Sequence, residues 1–330
     1  MRILALSDTH FGYEYGRTTE AKKEQIKWGF DVFSHVLDIA KKEEVDLVLH
    51  AGDVFNRSRP KKEIISTAYS VIEDFVRSGI DFVAIPGNHD RSHLPETLLT
   101  HLSKKIRFLN KLTEVKNERL SIVGFPFESQ NPVQLFNKIQ SIIQRNQNRN
   151  YIVFCHQLFD GACFGPHNHI FTNRPDTIET LNAPENLLLT LSGHIHRSQS
   201  LQNDKVWYTG SIIRTSFMEL VESKGFLMID VEGDDVKVEF HKLPSYPMKV
   251  LELDIIDTIY LSSIVDNLDI NPHVKTLLRL VGRQISENEL KYLWAKFPAK
   301  EFPLLRFSPR YPNYPLRALF KSPQVACRGY

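Results

Sequence analysis

Aspartate, histidine and asparagine, which hold divalent cations through oxygen or imidazole nitrogen, stand at the ends of five separate apolar runs in this 330-residue chain. They are Asp8 and His10, Asp53, Asn88 followed by His89, His156, and the pair His194 and His196. Two divalent cations about 3.5–4 Å apart need a shared carboxylate and further oxygen and nitrogen ligands, with room left for water and phosphate oxygens. Asp53 is the expected bridge. Asp8, His10 and His196 complete one ligand set, and Asn88, His156 and His194 complete the other. Mixed carboxylate, amide and imidazole ligands without thiolate favour manganese, iron or zinc over calcium or a purely structural zinc, with Mn²⁺ the first expectation (Fe²⁺ and Zn²⁺ next). The chemistry this implies is phosphoester cleavage, because a water held between two cations is a nucleophile near neutral pH. His89, adjacent to a ligand, is placed to protonate the leaving oxygen. Asp90 either orients that imidazole or caps the helix that follows.

Each of these signals is weak alone. Asp-x-His arises by chance, Gly-Asn-His-Asp is also a plausible tight turn, and Gly-His-x-His also describes two histidines at a strand end. Their common setting gives them weight. Ile3–Leu6 precedes Asp8, Val45–His50 precedes Asp53, Phe82–Ile85 precedes Asn88, Tyr151–Cys155 precedes His156, and Leu187–Leu191 precedes His194. Such runs read as strands that stop at a loop. Strands of one open α/β sheet end on a common edge where ligands bind, so residues spread from position 8 to position 196 are expected to converge there.

The elements between the runs fit that arrangement. Ile26, Phe30, Phe33, Leu37 and Ala40 recur at helical spacing, and a second helix is expected from Pro60 to about Arg77, closed by Gly79. Leu158–Glu185 has no clean periodicity and is expected to be a long loop beside the site, in which His167 and His169 are candidates to line the cleft. Phe226–Asp230 and Val236–Phe240 flank an acidic turn and read as a hairpin. Leu243-Pro244-Ser245-Tyr246-Pro247 reads as a linker. It separates an α/β domain, residues 1–243, from a smaller α+β unit, residues 244–330, with strands at Met248–Ile256, Val274–Val281 and Pro303–Phe307 and helices near Leu261–Leu268 and Ser286–Trp294.

Asp-x-His, Gly-Asp, Gly-Asn-His-Asp, His156 and Gly-His-x-His, in this order, resemble the calcineurin-like metallophosphoesterase superfamily over about residues 1–240. Within it, Thr209–Phe217 with Glu219 and Lys224-Gly225-Phe226, and Ala51–Phe55 leading to Ser58-Arg59-Pro60, resemble the SbcD-type DNA double-strand-break repair nucleases. The resemblance implies a metallophosphoesterase fold, a layered β-sheet core flanked by helices, with a small C-terminal α+β cap that contacts DNA. It also implies manganese-dependent DNA exonuclease and endonuclease activity, a homodimer formed through the helices near the first domain's start, and an SbcC-type ATPase partner. Two departures matter. Protein phosphatases carry Gly-Asp-x-Val-Asp-Arg-Gly, whose second Asp orients the catalytic His, whereas this chain reads Gly52-Asp53-Val54-Phe55-Asn56-Arg57-Ser58, which weakens that reading. Some break-repair nucleases have a His where Asn56 stands, which leaves the balance of exonuclease and endonuclease activity open.

The chain is near neutral at +2, but residues 296–330 contain seven Lys or Arg against the single acid Glu301, interleaved with six prolines and several aromatics. Cations neutralise phosphates and aromatic faces stack on unpaired bases; a tail packed back through its aromatics is an equal alternative. Arg57, Arg59, Arg91, Arg197 and Arg214 are candidate DNA contacts. Three cysteines without metal spacing, no signal peptide and no membrane span point to a cytoplasmic enzyme. Two other readings compete with a DNA nuclease. A small-molecule phosphodiesterase of the cyclic-nucleotide type predicts an enclosed pocket under Leu158–Glu185, and a DNA-end scaffold for an ATPase has no chemical need of a full ligand set.

Overall fold

Every apolar run that ends at a candidate ligand forms a strand. The computed structural model describes residues 1–90, 105–117, 120–172, 174–179, 183–255 and 261–310. The chain divides into two compact units, Met1–Tyr13 with Ile26–Ser245 and Glu14–Gln25 with Tyr246–Tyr330. In chain order the elements up to the hairpin are β1 (Arg2–Leu6), α1 (Thr19–Lys42), β2 (Leu47–Ala51), α2 (Lys62–Arg77), β3 (Asp81–Ile85), β4 (Ile106–Phe108), β5 (Thr113–Asn117), β6 (Leu120–Gly124) and α3 (Pro132–Gln144). They continue with β7 (Asn150–Cys155), β8 (Leu158–Phe159), β9 (Cys163–Phe164), β10 (His169–Ile170), β11 (Thr177–Ile178), β12 (Leu187–Ser192), β13 (Gln199–Leu201), β14 (Val206–Tyr208), β15 (Lys224–Glu232) and β16 (Asp235–Leu243).

The strands make two six-stranded sheets, ordered β16-β15-β1-β2-β3-β4 and β13-β14-β12-β7-β6-β5. This corrects the expectation of one open sheet. In β1, Ile3 and Ala5 face the second sheet and join Ile122, Ile152, Phe154 and Leu191 in one core, while Leu4 and Leu6 face the other way onto Phe33, Val36 and Ile72 of α1 and α2. The outer face of the second sheet packs Val153 and Cys155 against Phe136, Ile139 and Ile143 of α3. A strand covered by a helix on one face and a sheet on the other is apolar on both, and so is one covered by helices on both faces. The two architectures therefore share one sequence pattern. The antiparallel pairing Ile3↔Ile229 adds the expected hairpin, β15 and β16, to the first sheet's edge.

Helix α1 starts at Thr19, well before its periodic apolar residues, with Thr18 Oγ1 accepting the Ala21 N–H at 3.2 Å. Its first turns carry Glu20, Lys22 and Lys23, which give no amphipathic signal. Within Leu158–Glu185 two short pairings appear, β8 with β11 in parallel and β9 with β10 in antiparallel. Two-residue strands are too brief to show a period. His167 and His169 are exposed there, and His169 meets Phe164 and Phe171 edge to face.

In the smaller unit, β17 (Met248–Ile255), α4 (Leu261–Val265), β18 (Lys275–Gly282), α5 (Glu287–Lys296) and β19 (Leu305–Arg310) follow in turn. Its three strands are parallel, ordered β17-β18-β19, over a core that includes Val265, Leu278, Leu280, Leu293 and Phe297. A reciprocal Ser286–Glu289 capping box starts α5. Most of the basic tail, with Arg317, Lys321 and Arg328, lies outside the described residues. Among the described residues no helix is long and apolar enough to cross a membrane.

Candidate metal centre

The loops after β1, β2 and β3 of the first sheet and after β7 and β12 of the second bring the candidate ligands together. Four of these residues, Asp8 (φ 51°), His10 (φ 46°), Asp53 (φ 55°) and His194 (φ 81°), adopt left-handed backbone conformations that cost non-glycine residues free energy. The fold sustains that strain through local backbone bonds such as Asp8 N to Gly52 O at 2.9 Å and His10 N to Asp53 O at 3.1 Å. The glycines give clearance. A Cβ on Gly87 would stand 2.2 Å from Asp53 Oδ1, and one on Gly193 would stand 2.3 Å from Ala51 O. Ala51 O in turn accepts the Nδ1–H of His156 at 2.7 Å. Gly193→Ala is therefore expected to cost about 2–3 kcal/mol of stability, readable by denaturant unfolding; an unchanged midpoint would show that the backbone yields without strain.

His10 Nε2 lies 3.1 Å from His196 Nε2, and these nitrogens are 3.9 Å and 3.6 Å from Asp8 Oδ1. On the other side, Asn88 Oδ1 lies 3.0 Å from His156 Nε2 and 3.1 Å from His194 Nδ1. Asp53 Oδ2 stands between, 4.0 Å from His10 Nε2 and 3.5 Å from His156 Nε2. Phe127 walls the second group, 6.2 Å from the His156 ring and 5.8 Å from that of His194, centroid to centroid. Imidazole nitrogens, an amide oxygen and two carboxylates thus crowd together with few protons to satisfy them. Asp8 Oδ1, which faces the His10 and His196 nitrogens, is buried without a hydrogen-bond partner, a cost that a cation offsets. The donor set fits hard or borderline divalent ions.

Electrostatics sort the imidazoles. Burial, aided by the nearby His156, lowers His194 to about 3, and burial with His196 beside it keeps His10 well below the usual histidine range. Both are therefore neutral lone-pair donors. His156 goes the other way: burial opposes its charging, but Asp53 and Asp8 outweigh burial and raise it to about 9. Asp53 is held low by His156 and His10 despite burial, whereas burial raises Asp8 against the pull of His156 and His196.

His89 is the most exposed member, at 41% of its side chain. Its main-chain N–H donates to Asp53 Oδ1 at 2.8 Å, its Nδ1–H donates to the Asn56 carbonyl at 3.1 Å, and its Nε2 faces Asp53 Oδ2 at 3.9 Å. The main chain of Asn56 thus fixes the ring. Among the described residues Asp90 does not bond the His89 ring, whose Nδ1 is taken by Asn56. Its buried carboxylate accepts the N–H groups of Val54 (3.1 Å), Phe55 (2.9 Å) and Gly87 (3.0 Å), tying the loop after β2 to the loop after β3. Burial and the Asp53 charge raise its pKa to about 7 against those three donors. A helix that Asp90 would cap falls on residues 91–104, outside the described residues.

Among the expected DNA contacts, Arg57 and Arg59 are exposed and Arg91 lies outside the described residues. Arg197 is engaged with Glu222 (3.2 Å), Asn168 (2.6 Å) and the Gly165 carbonyl (2.7 Å), and Arg214 with the Glu222 carbonyl (2.9 Å). At these two positions the geometry favours a structural role. Two residues received no role from the sequence. Glu219 lies 3.2 Å from His196 Nδ1, and Lys224 is wholly buried beside it. The available signal was a lysine opening the apolar run Lys224–Asp230, where a buried strand has no ordinary use for a charge.

Fold and site define a metal-dependent hydrolase of phosphoesters. The profile of the family described as "Calcineurin-like phosphoesterase" matches residues 1–198, and the chain belongs to that family, whose members use two divalent metals. Its curated relatives include the SbcD subunit of the nuclease SbcCD from Staphylococcus saprophyticus, 24% identical over 82% of this chain and 75% of the relative. The "DNA double-strand break repair protein Mre11" of Saccharolobus solfataricus is 26% identical over 77% of this chain and 66% of that protein. The corresponding SbcD subunit from Staphylococcus epidermidis is 27% identical over 77% and 72%.

Proposed function

We propose that this chain is a two-metal phosphodiesterase that cleaves DNA at ends, with Mn²⁺ as its working ion. The reading is carried by the meeting of Asp8, His10, Asp53, Asn88, His156, His194 and His196 in one cluster, in a chain whose relatives are named as nuclease and break-repair proteins. Asp8, His10 and His196 would hold one ion, Asn88, His156 and His194 the other, and Asp53 both. When bound, the ions supply Lewis acidity toward phosphoryl oxygens and acidify water near neutral pH. The chain's own groups do the rest. Ala51 O fixes the tautomer of His156 so that its Nε2 faces inward. Asn56 O holds His89 so that its Nε2 faces the reacting side and passes a proton to the departing oxygen. Asp90 keeps the loops carrying Asp53 and Asn88 in register. Arg57 and Arg59, both exposed, would follow the phosphate backbone.

By the same likeness, a second copy of the chain and an SbcC-type ATPase are proposed partners, and the cytoplasm is the proposed compartment. Chelation with EDTA is expected to abolish cleavage of linear DNA and added Mn²⁺ to restore it; cleavage that survives chelation would refute the metal reading.

Metal uptake carries a pH signature. A proton on His156, with its pKa raised to about 9, has to leave before Nε2 holds a cation. Mn²⁺ affinity of the metal-free protein should therefore rise about tenfold per pH unit from pH 7 and level off near pH 9. Titration calorimetry across that range checks it, and a flat profile would show that no proton has to leave His156 on metal uptake.

A further inference from the structure

Three buried charges outside the ligand cluster form a chain that ends on His196. Lys224, with no exposed side-chain surface, places Nζ 2.8 Å from Glu219 Oε2, 3.1 Å from Glu222 Oε2 and 2.9 Å from the main-chain carbonyl of His196. Glu219 Oε1 lies 3.2 Å from His196 Nδ1 and accepts the Thr215 hydroxyl at 2.9 Å. Glu222 passes the link outward through its 3.2 Å contact with Arg197, whose guanidinium holds Gly165 and Asn168 of the segment joining β9 and β10.

Burying one ammonium and two carboxylates costs several kcal/mol of desolvation, and apolar residues of similar volume generally fill such a space at no loss of stability. Packing alone therefore gives no reason for these charges. What they accomplish is geometric. One ammonium grips both ends of one residue: the carbonyl of His196 directly, and its ring through Glu219. With Nδ1–H donated to Glu219, the lone pair of Nε2 is directed at Asp8 and His10, 3.6 Å from Asp8 Oδ1.

We propose that Glu219 and Lys224 are positioning residues that set the tautomer and orientation of His196, and so the affinity of one of the two ion sites, while the other site is independent of them. The inference rests on the two-metal reading.

The test compares Mn²⁺ binding to the full chain, by calorimetry and electron paramagnetic resonance, in wild type, Glu219→Gln and Lys224→Met. Wild type is expected to bind two ions with the spectrum of a coupled pair. Glu219→Gln keeps the side-chain shape and is expected to weaken one ion by about 10–100-fold, so that at limiting Mn²⁺ it shows the spectrum of an isolated ion. Excess Mn²⁺ should then recover turnover of bis-p-nitrophenyl phosphate. Lys224→Met is expected to behave alike; if it fails to fold, Glu219→Gln decides. Two ions bound with wild-type affinity by Glu219→Gln would overturn the proposal, as would equal weakening of both. A wild type that binds no Mn²⁺ would bring down the two-metal reading itself, and this inference with it.

Discussion

His89→Gln is expected to slow cleavage of a DNA diester by about 10²–10⁴-fold, the usual worth of a positioned general acid, while Mn²⁺ content stays at the wild-type value. The ring is held from behind by the Asn56 carbonyl, and its Nε2 opens toward Asp53 from the exposed side of the cluster. A sugar alkoxide leaves poorly without a proton, whereas nitrophenolate leaves unaided. The loss should accordingly be much smaller on bis-p-nitrophenyl phosphate than on DNA. This comparison also separates two roles, because His10, Asp53 and His89 themselves form a grouping able to hold a metal. Equal losses on both substrates together with lost Mn²⁺ would make His89 a ligand and not an acid.

Asp53→Asn should be more damaging still, at about 10³-fold or more in kcat/KM, since several kcal/mol of charge stabilisation depend on bound ions. Asp53 lies in contact range of both ligand sets, and the surrounding histidines hold its charge in place. The substitution preserves volume and the acceptor for the His89 main-chain N–H, so the fold should survive and the loss should appear as a fall in Mn²⁺ bound per chain. Asp53→Asn that retained two ions and near-normal turnover would remove Asp53 from the centre of the scheme.

The candidate site was legible in the sequence because the same event recurs five times, an apolar strand halted by a residue with metal-binding chemistry. Strand ends define an edge, and that inference survived even though the edge belongs to two sheets and not one. The number of sheets was hidden because burial on both faces erases alternation. The start of α1 was hidden by polar first turns, and the β9–β10 pairing by its length. Side-chain partners were least visible. Asp90 is spent on three backbone N–H groups, and Arg197 and Arg214 are spent on Glu222, choices that depend on which loops meet in space. Nor does propensity anticipate left-handed backbones at Asp8, His10, Asp53 and His194, where glycine would be easiest. Such departures from local rules are expected at functional positions, which accords with the role proposed for these four residues. Lys224 was visible as a charge in an apolar run, but its link to His196 required the fold.

The most direct measurement is Mn²⁺-dependent cleavage of end-labelled linear duplex and single-stranded DNA by the purified chain, beside bis-p-nitrophenyl phosphate and cyclic nucleotides. The account predicts that DNA is degraded and that cyclic nucleotides are not preferred. Turnover confined to small diesters, with DNA intact in excess Mn²⁺ and with an SbcC-type ATPase added, would contradict it.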